Sequence, residues 1–301
     1  MSEKIRCKFC QSDDVGFYAR PNRYICKACG RRFRVDMTDN EIVTKITEGL
    51  TRLEVNLKTD EDRLRLVPIG DIHVGAPKGH CDWGKVKREL AYILDTPNTY
   101  TIGMGDYMDC AQKMGLGRSG GGPNLFQSSL SPMEQYNLME EAFKPLAKKG
   151  KILGLHCGNH EEWIMQQTGI QIIDLLCRSL NVPFLGPGCD TVLAVNKQKY
   201  NIYSQHGTSN ATQKYTKLGA LINATRDIFS EVFLYGHVHQ LGVQKGGKRI
   251  SGKQIKTYYI LTGHFLNWEG SYAQMFGLDV CPSGCAQIKL FSERKDIHVS
   301  V

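Results

Sequence analysis

Short apolar segments recur along the chain, and each is followed by a group of polar residues. Five of them are rich in Val, Ile, Leu, Phe and Tyr, which favours strands; they span residues 64–69, 99–104, 151–156, 199–204 and 231–235. In an open α/β sheet the carboxyl ends of parallel strands converge on one crevice. The pattern therefore predicts that polar residues far apart in the chain meet in a single site.

A different pattern precedes these segments. Apolar residues recur there at intervals of three and four, and Thr38 with Glu41 forms a capping box. The apolar positions are Ile42, Ile46, Leu50, Leu53 and Leu57. This pattern predicts a linker helix within residues 37–62, whose apolar stripe packs on the domain that follows; a short dimer-forming coiled coil is the alternative.

Metal-binding side chains make up the polar groups that follow the five segments. They are Asp71-Ile72-His73, Gly105-Asp106, Gly158-Asn159-His160-Glu161, His206-Gly207 and Gly236-His237-Val238-His239. Imidazoles, carboxylates and an amide oxygen suit Mn, Fe, Ni or Zn better than Ca, which prefers oxygen ligands alone. We expect two divalent ions, with Mn²⁺ as the first choice. A carboxylate such as Asp106 can bridge a metal pair at about 3.5–4 Å.

The order of these motifs resembles that of the calcineurin-like metallophosphoesterases, which run D-x-H, GD-x-x-(D/R), GNH(D/E), H and GH-x-H. The resemblance covers about residues 64–290 and implies an α/β fold, a β-sandwich flanked by helices. It implies a first ion among Asp71, His73, Asp106 and His239, and a second ion among Asp106, Asn159, His206 and His237. The resemblance also implies a metal-dependent phosphoric ester hydrolase.

His160 has a separate role in this resemblance. In the family the histidine of GNH(D/E) lies near the leaving-group oxygen without binding the metals, where a general acid is needed. Glu161 would orient its ring or cap the helix that follows. Asp109 occupies the last position of GD-x-x-D, but Cys110-Ala111 follows it, where the family's protein phosphatases tend to carry Arg-Gly. This departure indicates the phosphodiesterase and nuclease branches.

Four further residues are candidates for substrate binding. Arg118 and Asn124 lie in a glycine-rich stretch, residues 113–124, which is either a lid at the rim of the site or a plain connector. His264 and Tyr272 follow another apolar segment, residues 258–261, whose position places them near the metals. An ordinary core or surface role is the default expectation for His80, His156 and His298, and it is also the alternative for His264.

A four-cysteine motif near the N-terminus predicts a structural zinc site. Cys7-x2-Cys10 and Cys26-x2-Cys29, fifteen residues apart, match two knuckles that hold one Zn²⁺. So short a segment cannot bury enough apolar surface, so the metal would supply its folding energy. Residues 24–34 also resemble the zinc ribbon of insertion-sequence transposases. We divide the chain into a zinc ribbon (1–36), a linker helix (37–62) and a metallophosphoesterase domain (63–301).

Charge is concentrated in the predicted ribbon. Residues 1–36 contain nine Lys and Arg residues against four acidic ones, and so carry five of the chain's eight net positive charges. Basic side chains interleaved with aromatic ones favour binding to nucleic acid, here DNA more than RNA. Two alternatives remain: the aromatic residues form only the ribbon's small core, or the ribbon contacts another protein.

Residues 1–6 do not open an apolar signal segment, and no apolar run reaches the length of a membrane span. We therefore expect a cytoplasmic protein with reduced thiols and no membrane partner.

Together these features predict a two-metal phosphodiesterase or nuclease that acts on nucleic acid held by the ribbon. One alternative is a phosphomonoesterase for protein or nucleotide substrates. The other is a nucleic-acid-binding protein with a passive phosphoesterase scaffold; the complete set of ligands argues against it, because a scaffold need not keep them.

Overall fold

The computed structural model describes residues 15–17, 23–28, 32–34, 41–47, 50–77, 79–110, 128–209, 211, 213–250, 252–269, 274, 277 and 279–301. The helices are α1 (Trp83–Asp95), α2 (Pro132–Lys148), α3 (Asn159–Thr168), α4 (Ile172–Leu180) and α5 (Lys214–Ala224). The first strands are β1 (Val15–Phe17), β2 (Arg23–Cys26), β3 (Arg32–Arg34), β4 (Glu41–Thr47), β5 (Leu50–Leu57), β6 (Arg63–Ile69), β7 (Thr99–Gly103), β8 (Ile152–His156) and β9 (Phe184–Gly186). The remaining strands are β10 (Gly188–Val195), β11 (Gln198–Gln205), β12 (Val232–Tyr235), β13 (Leu241–Ile250), β14 (Lys253–His264), β15 (Gly284–Cys285), β16 (Gln287–Phe291) and β17 (Ile297–Ser300).

Two sheets form a sandwich. The first has the order β17-β16-β6-β7-β8-β9, and the four strands from β6 to the edge strand β9 are parallel. The second has the order β13-β14-β12-β11-β10-β5-β4, with β15 paired to β14. The two sheets bury a shared core that includes Leu66, Ile102, Leu193, Ile202 and Leu234.

Helices cover the outer faces of the sandwich. A second core joins the outer face of the first sheet to α1, α2 and α4, through residues such as Ile69, Val86, Phe143 and Leu176. On the second sheet, Leu221 of α5 packs with Phe233. The predicted fold class, an α/β sandwich flanked by helices, is therefore confirmed. No helix in the described ranges is long and apolar enough to span a membrane.

The five predicted apolar segments correspond to β6, β7, β8, β11 and β12. Three of these strands lie in the first sheet and two lie in the second. Their carboxyl ends open at the same edge of the sandwich, since the residues that follow them are hydrogen bonded across the two sheets. For example, the backbone N–H of His237, after β12, donates to the carboxylate of Asp71, after β6.

The predicted linker helix is wrong. Residues 41–57 form the antiparallel hairpin β4–β5, and β5 pairs in parallel with β10 of the second sheet. Leu53, Val55 and Leu57 are buried, and the exposed Arg52 and Asn56 alternate with them. An interval of four residues fits both a helix and a strand, since it returns to the same face in each, so the spacing alone was ambiguous. The β-branched residues Ile42, Val43 and Thr44 in β4 also favour a strand.

The hairpin also changes the predicted domain boundary. Because β4 and β5 are strands of the second sheet, the domain that contains this sheet begins by Glu41 and not at residue 63.

Before the hairpin, β1, β2 and β3 form a small antiparallel sheet. Of the four predicted zinc ligands, Cys7, Cys10 and Cys29 lie outside the described residues. Cys26 ends β2, but its side chain is not described. The structural zinc therefore stays a prediction.

Candidate metal centre

Strand ends deliver the predicted metal ligands to one place. Asp71 and His73 follow β6, Asp106 follows β7, Asn159 opens α3 after β8, His206 follows β11, and His237 and His239 join β12 to β13. The backbone there is unusual: nine non-glycine residues of the described chain have a positive φ, and five of them are predicted ligands. These five are Asp71, His73, Asp106, His237 and His239. Such strained conformations cluster at functional sites, where the surrounding structure holds them.

The first group of side chains contains Asp71, His73, Asp106 and His239. The Nε2 atoms of His73 and His239 are 3.1 Å apart, and His239 Nε2 is 3.3 Å from Asp71 Oδ1. Asp71 is fully buried and accepts the backbone N–H of His237 at 3.0 Å. Buried carboxylate and imidazole atoms thus converge on one point.

The second group contains Asp106, His206 and His237, with Asn159 beside them. The amide oxygen of Asn159 lies 3.0 Å from His206 Nε2 and 2.8 Å from His237 Nδ1. The other ring nitrogen of His206 donates to the carbonyl oxygen of Met104 at 2.7 Å. A backbone acceptor on one nitrogen is the usual way to aim the other nitrogen of a histidine at a metal.

Asp106 lies between the two groups. Its Oδ2 is 3.7 Å from His73 Nε2 in the first group and 3.3 Å from His206 Nε2 in the second. Its Oδ1 faces away from this gap and accepts the backbone N–H of His160 at 3.0 Å. One carboxylate oxygen is therefore shared by both groups.

The donor atoms fit divalent metal ions. Neighbouring donors within the groups are 2.8 to 3.7 Å apart, a range that suits atoms binding one ion at about 2.0–2.2 Å. Carboxylates and imidazoles in these groups also stabilise each other's charged forms. Burial works against charge on both partners, but the imidazoles, above all His206, hold the pKa of Asp106 well below its usual value. Burial likewise opposes the charged form of His206, yet Asp106 outweighs it and raises the pKa of that imidazole to about 10.

His160 lies beside the first group without joining its ligand atoms. Its ring centroid is 4.5 Å from that of His73 and 4.2 Å from that of Trp163. The Nδ1 atom is hydrogen bonded to the carbonyl oxygen of Asp109. Because a carbonyl only accepts, Nδ1 carries a hydrogen in this bond. Nε2 is then the nitrogen that can exchange a proton.

Asp109 contributes to the site by a contact that no motif shows. Ser128, nineteen residues further along the chain, donates its hydroxyl to Asp109 Oδ2. Asp109 Oδ1 lies 3.8 Å from Nδ1 of both His73 and His160. Burial works to raise the pKa of Asp109, but the nearby imidazole of His73 and the hydrogen bond from Ser128 lower it. Sequence reasoning missed Ser128 and also Trp163, whose position next to the GNHE motif was the only available signal.

Glu161 does not contact the ring of His160 by a hydrogen bond. It caps α3 by accepting the N–H of Gly158 at 2.9 Å. Of the two predicted roles, orienting the His160 ring or capping the helix, the structure shows the cap. Glu161 also accepts the backbone N–H groups of Asp106 and Met108, at 3.0 and 2.9 Å. Burial, reinforced by Asp106, raises the pKa of Glu161 to about 7.

The four predicted substrate residues have different outcomes. Arg118, Asn124 and Tyr272 lie outside the described residues. His264 ends β14, is 5% exposed, and lies with its ring centroid 5.8 Å from that of His239. Its Nδ1 accepts the N–H of Leu266, and burial lowers its pKa to about 3.

His156 connects the two sheets close to the site. Its Nδ1 donates to the carbonyl oxygen of Gly186, and its Nε2 lies 2.8 Å from the hydroxyl of Ser204 on β11. Burial lowers the pKa of His156 to about 4. The ring is therefore neutral in the folded chain at pH values where an exposed histidine would take up a proton.

The lowered pKa of His156 predicts that this residue makes the stability of the fold sensitive to acid. The unfolded chain binds a proton at His156 near pH 6.5, whereas the folded chain does so only near pH 4. Stability should therefore fall as the pH drops from 6.5 to 4, by about 3 kcal/mol from this residue. Urea unfolding of the wild type and of His156→Asn, which keeps a donor but cannot titrate, would measure this. Equal pH slopes for the two proteins would contradict the assignment.

Comparison with known proteins gives limited similarity. Neither a protein-family model nor a curated protein sequence matches the chain. Among solved structures, a predicted phosphoesterase from Streptococcus pneumoniae is 11% identical, with 79% of this chain and 90% of that chain covered and a TM-score of 0.36. Vacuolar protein sorting 29 from Cryptosporidium parvum is 14% identical over 80% and 98% of the two chains, with a TM-score of 0.40. The calcineurin-like phosphoesterase YfkN from Bacillus subtilis is 13% identical over 80% and 88%, with a TM-score of 0.36. At these TM-scores the comparisons do not assign the chain to a family.

Proposed function

We propose that this protein is a two-metal phosphoesterase that hydrolyses phosphodiesters, with nucleic acid as its substrate. The observation that carries the proposal is the position of Asp106. A single oxygen of this buried carboxylate faces an imidazole of each donor group, as a ligand shared by two ions would. Paired ions at a shared carboxylate are typical of phosphoryl transfer by hydrolysis.

The donor set divides between two ions. Asp71, His73, Asp106 and His239 would hold the first; Asp106, Asn159, His206 and His237 would hold the second. When bound, the ions would supply Lewis-acid polarisation of a phosphoryl oxygen and a water of lowered pKa. Mn²⁺ is the first choice for this mixed N/O set, and Fe, Ni and Zn are the alternatives.

The chain's own residues would handle the leaving group. Water attacks the phosphorus, the ester P–O bond breaks, and the departing oxygen takes the proton carried by Nε2 of His160. The proton that the attacking water loses replaces it, so the products are an alcohol and a phosphate monoester. The Asp109 carbonyl fixes the ring through Nδ1, and Trp163 packs against it. A ring held on two sides keeps the proton aimed at one position, as general acid catalysis requires.

Preference for a diester rests on the sequence around the site. Cys110 and Ala111 follow Asp109, where protein phosphatases of the resembling family carry Arg-Gly. The basic segment 1–36 supports a polymeric substrate, because clustered Lys and Arg side chains bind phosphates along a strand.

A substrate panel tests the proposed function. The full-length protein with Mn²⁺ would be assayed against bis-p-nitrophenyl phosphate, p-nitrophenyl phosphate, and labelled single- and double-stranded DNA and RNA. We expect hydrolysis of the diester and of a nucleic acid. Cleavage of the monoester alone would make the protein a phosphomonoesterase, and no cleavage with metals bound would favour a passive scaffold.

The role of the ribbon predicts a separation of two activities. Replacing Arg31, Arg32 and Arg34 by Ser should weaken cleavage of nucleic acid and flatten its salt dependence, since fewer counterions are released on binding. Hydrolysis of bis-p-nitrophenyl phosphate should stay within about twofold, because this diester needs only the metal centre. Rates measured across a salt series would show both effects.

The matched control removes three exposed lysines of the β13–β14 hairpin, Lys245, Lys253 and Lys256, by the same change to Ser. This variant should keep the salt slope of the wild type. If both triple variants cleave nucleic acid like the wild type, the ribbon does not hold the polymer, and a protein contact becomes the better interpretation.

A further inference from the structure

The carboxylate of Glu161 joins two loops of the metal centre. It is fully buried, and it accepts three backbone hydrogen bonds. Oε2 accepts the N–H groups of Asp106 and Gly158 at 3.0 and 2.9 Å, and Oε1 accepts that of Met108 at 2.9 Å. Asp106 and Met108 belong to the loop after β7, whereas Gly158 begins α3, so one side chain holds both segments together.

The loop after β7 needs such an acceptor. Gly105 and Asp106 have φ values of 90° and 50°, which turn the chain away from the sheet. The N–H groups of Asp106 and Met108 both donate to the buried carboxylate of Glu161. A buried N–H group without an acceptor is costly, and Glu161 satisfies both of these.

Asp106 also accepts three hydrogen bonds from other backbone N–H groups. Its carbonyl oxygen accepts the N–H groups of Ile72 and His73 at 2.8 and 3.0 Å. Its Oδ1 accepts the N–H of His160. Only Oδ2 is left to face the imidazoles of the two donor groups. The orientation of the shared oxygen is thus set by the backbone around it.

The contact between the two loops has little tolerance. A Cβ added at Gly158 would lie 2.0 Å from Asp106 Oδ1 and 2.2 Å from the Asp106 backbone nitrogen. Glycine is therefore required at this position, and a small separation of the loops would move the carboxylate relative to both donor groups.

We propose that Glu161 is a positioning residue that clamps the two loops, keeps Asp106 Oδ2 between the donor groups, and thereby sets the affinity of the centre for its metal ions. The inference rests on the proposed function only for the binding of ions at this centre. It does not depend on which ester is hydrolysed.

The test compares Mn²⁺ binding by the wild type and by Glu161→Gln. The amide has the shape of the carboxylate, but its NH₂ group opposes one of the three N–H donors, so the clamp loosens. Calorimetric titration of the metal-stripped full-length protein with MnCl₂ alone should show affinity about 10- to 100-fold weaker for the variant, as for other residues that orient metal ligands. Hydrolysis by the variant should recover largely at high Mn²⁺ concentration.

Thr101→Val is the matched control. The Thr101 hydroxyl donates to the carbonyl oxygen of Val67 at 2.8 Å inside the first sheet, so its loss removes a buried hydrogen bond away from the loops. This variant should lower the melting temperature but keep the Mn²⁺ affinity. Glu161→Asp, which is too short to reach both loops, should behave like Glu161→Gln and replaces it if the amide variant does not fold.

The outcomes separate the two proposals. Mn²⁺ affinity within about twofold of the wild type, with only a loss of stability, would overturn the positioning role. Weaker Mn²⁺ binding by the variants supports the clamp even if the wild type hydrolyses no ester, in which case the proposed function alone fails.

Discussion

Asp106→Asn should abolish hydrolysis of phosphodiesters and leave the fold intact. The Asn side chain keeps an oxygen that can accept the N–H of His160, so the backbone around it stays satisfied. It loses the negative charge that faces His73 and His206. Because a metal pair supplies several kcal/mol of transition-state stabilisation, we expect a loss of roughly 10³-fold or more in kcat.

The measurement pairs the rate with the number of metal ions bound. Elemental analysis of the Asp106→Asn variant should find fewer divalent ions per chain than in the wild type, while circular dichroism stays unchanged. Asp60→Asn, at an exposed position, is the control and should keep both activity and metal. Full activity of the Asp106→Asn variant would show that Asp106 is not a ligand shared by two ions.

His160→Ala should lower turnover by roughly 10²–10⁴-fold while the metals stay bound. Its Nδ1 is fixed on the Asp109 carbonyl, and its ring lies outside the two ligand groups, so its proposed contribution is proton transfer. The loss should shrink for substrates with good leaving groups, because an oxygen that departs as a stable anion needs no proton.

A series of aryl phosphodiesters with leaving groups of different pKa measures this dependence. His298→Ala removes a histidine whose side chain is 58% exposed and serves as the control. If the His160→Ala loss is the same for poor and good leaving groups, the acid role is excluded. If the variant also loses metal, His160 belongs with His73 and Asp109, the third group of side chains that could hold an ion.

Much of the site could be predicted from sequence because it is built from strand ends. An apolar segment in the sequence indicates a buried strand, and a polar residue directly after it can be identified as a candidate site residue. Asp71, Asp106 and His206 were all found in this way, although they come from two sheets. The structure brings them together as the motif order implied, but their metal-binding roles stay predictions.

The parts that were missed or wrong depend on information that local patterns do not carry. In β4 and β5 the apolar residues recur at an interval of four, which fits a strand as well as a helix. The pairing of β5 with β10, which makes this segment a strand, is not visible in the local sequence. Ser128 reaches Asp109 through the tertiary fold. The clamp by Glu161 likewise depends on backbone N–H groups, which have the same identity at almost every position and so leave no trace in the sequence.

The most direct test of the two-metal account is a titration of the metal-stripped protein with Mn²⁺, in which bound ions and the rate of bis-p-nitrophenyl phosphate hydrolysis are measured on the same samples. Any zinc bound at the four predicted cysteine ligands is counted separately. For a two-metal centre we predict about two Mn²⁺ ions per chain, with hydrolysis rising as the second ion binds. Full activity with a single bound ion, or two bound ions without hydrolysis of any phosphate ester, would contradict it.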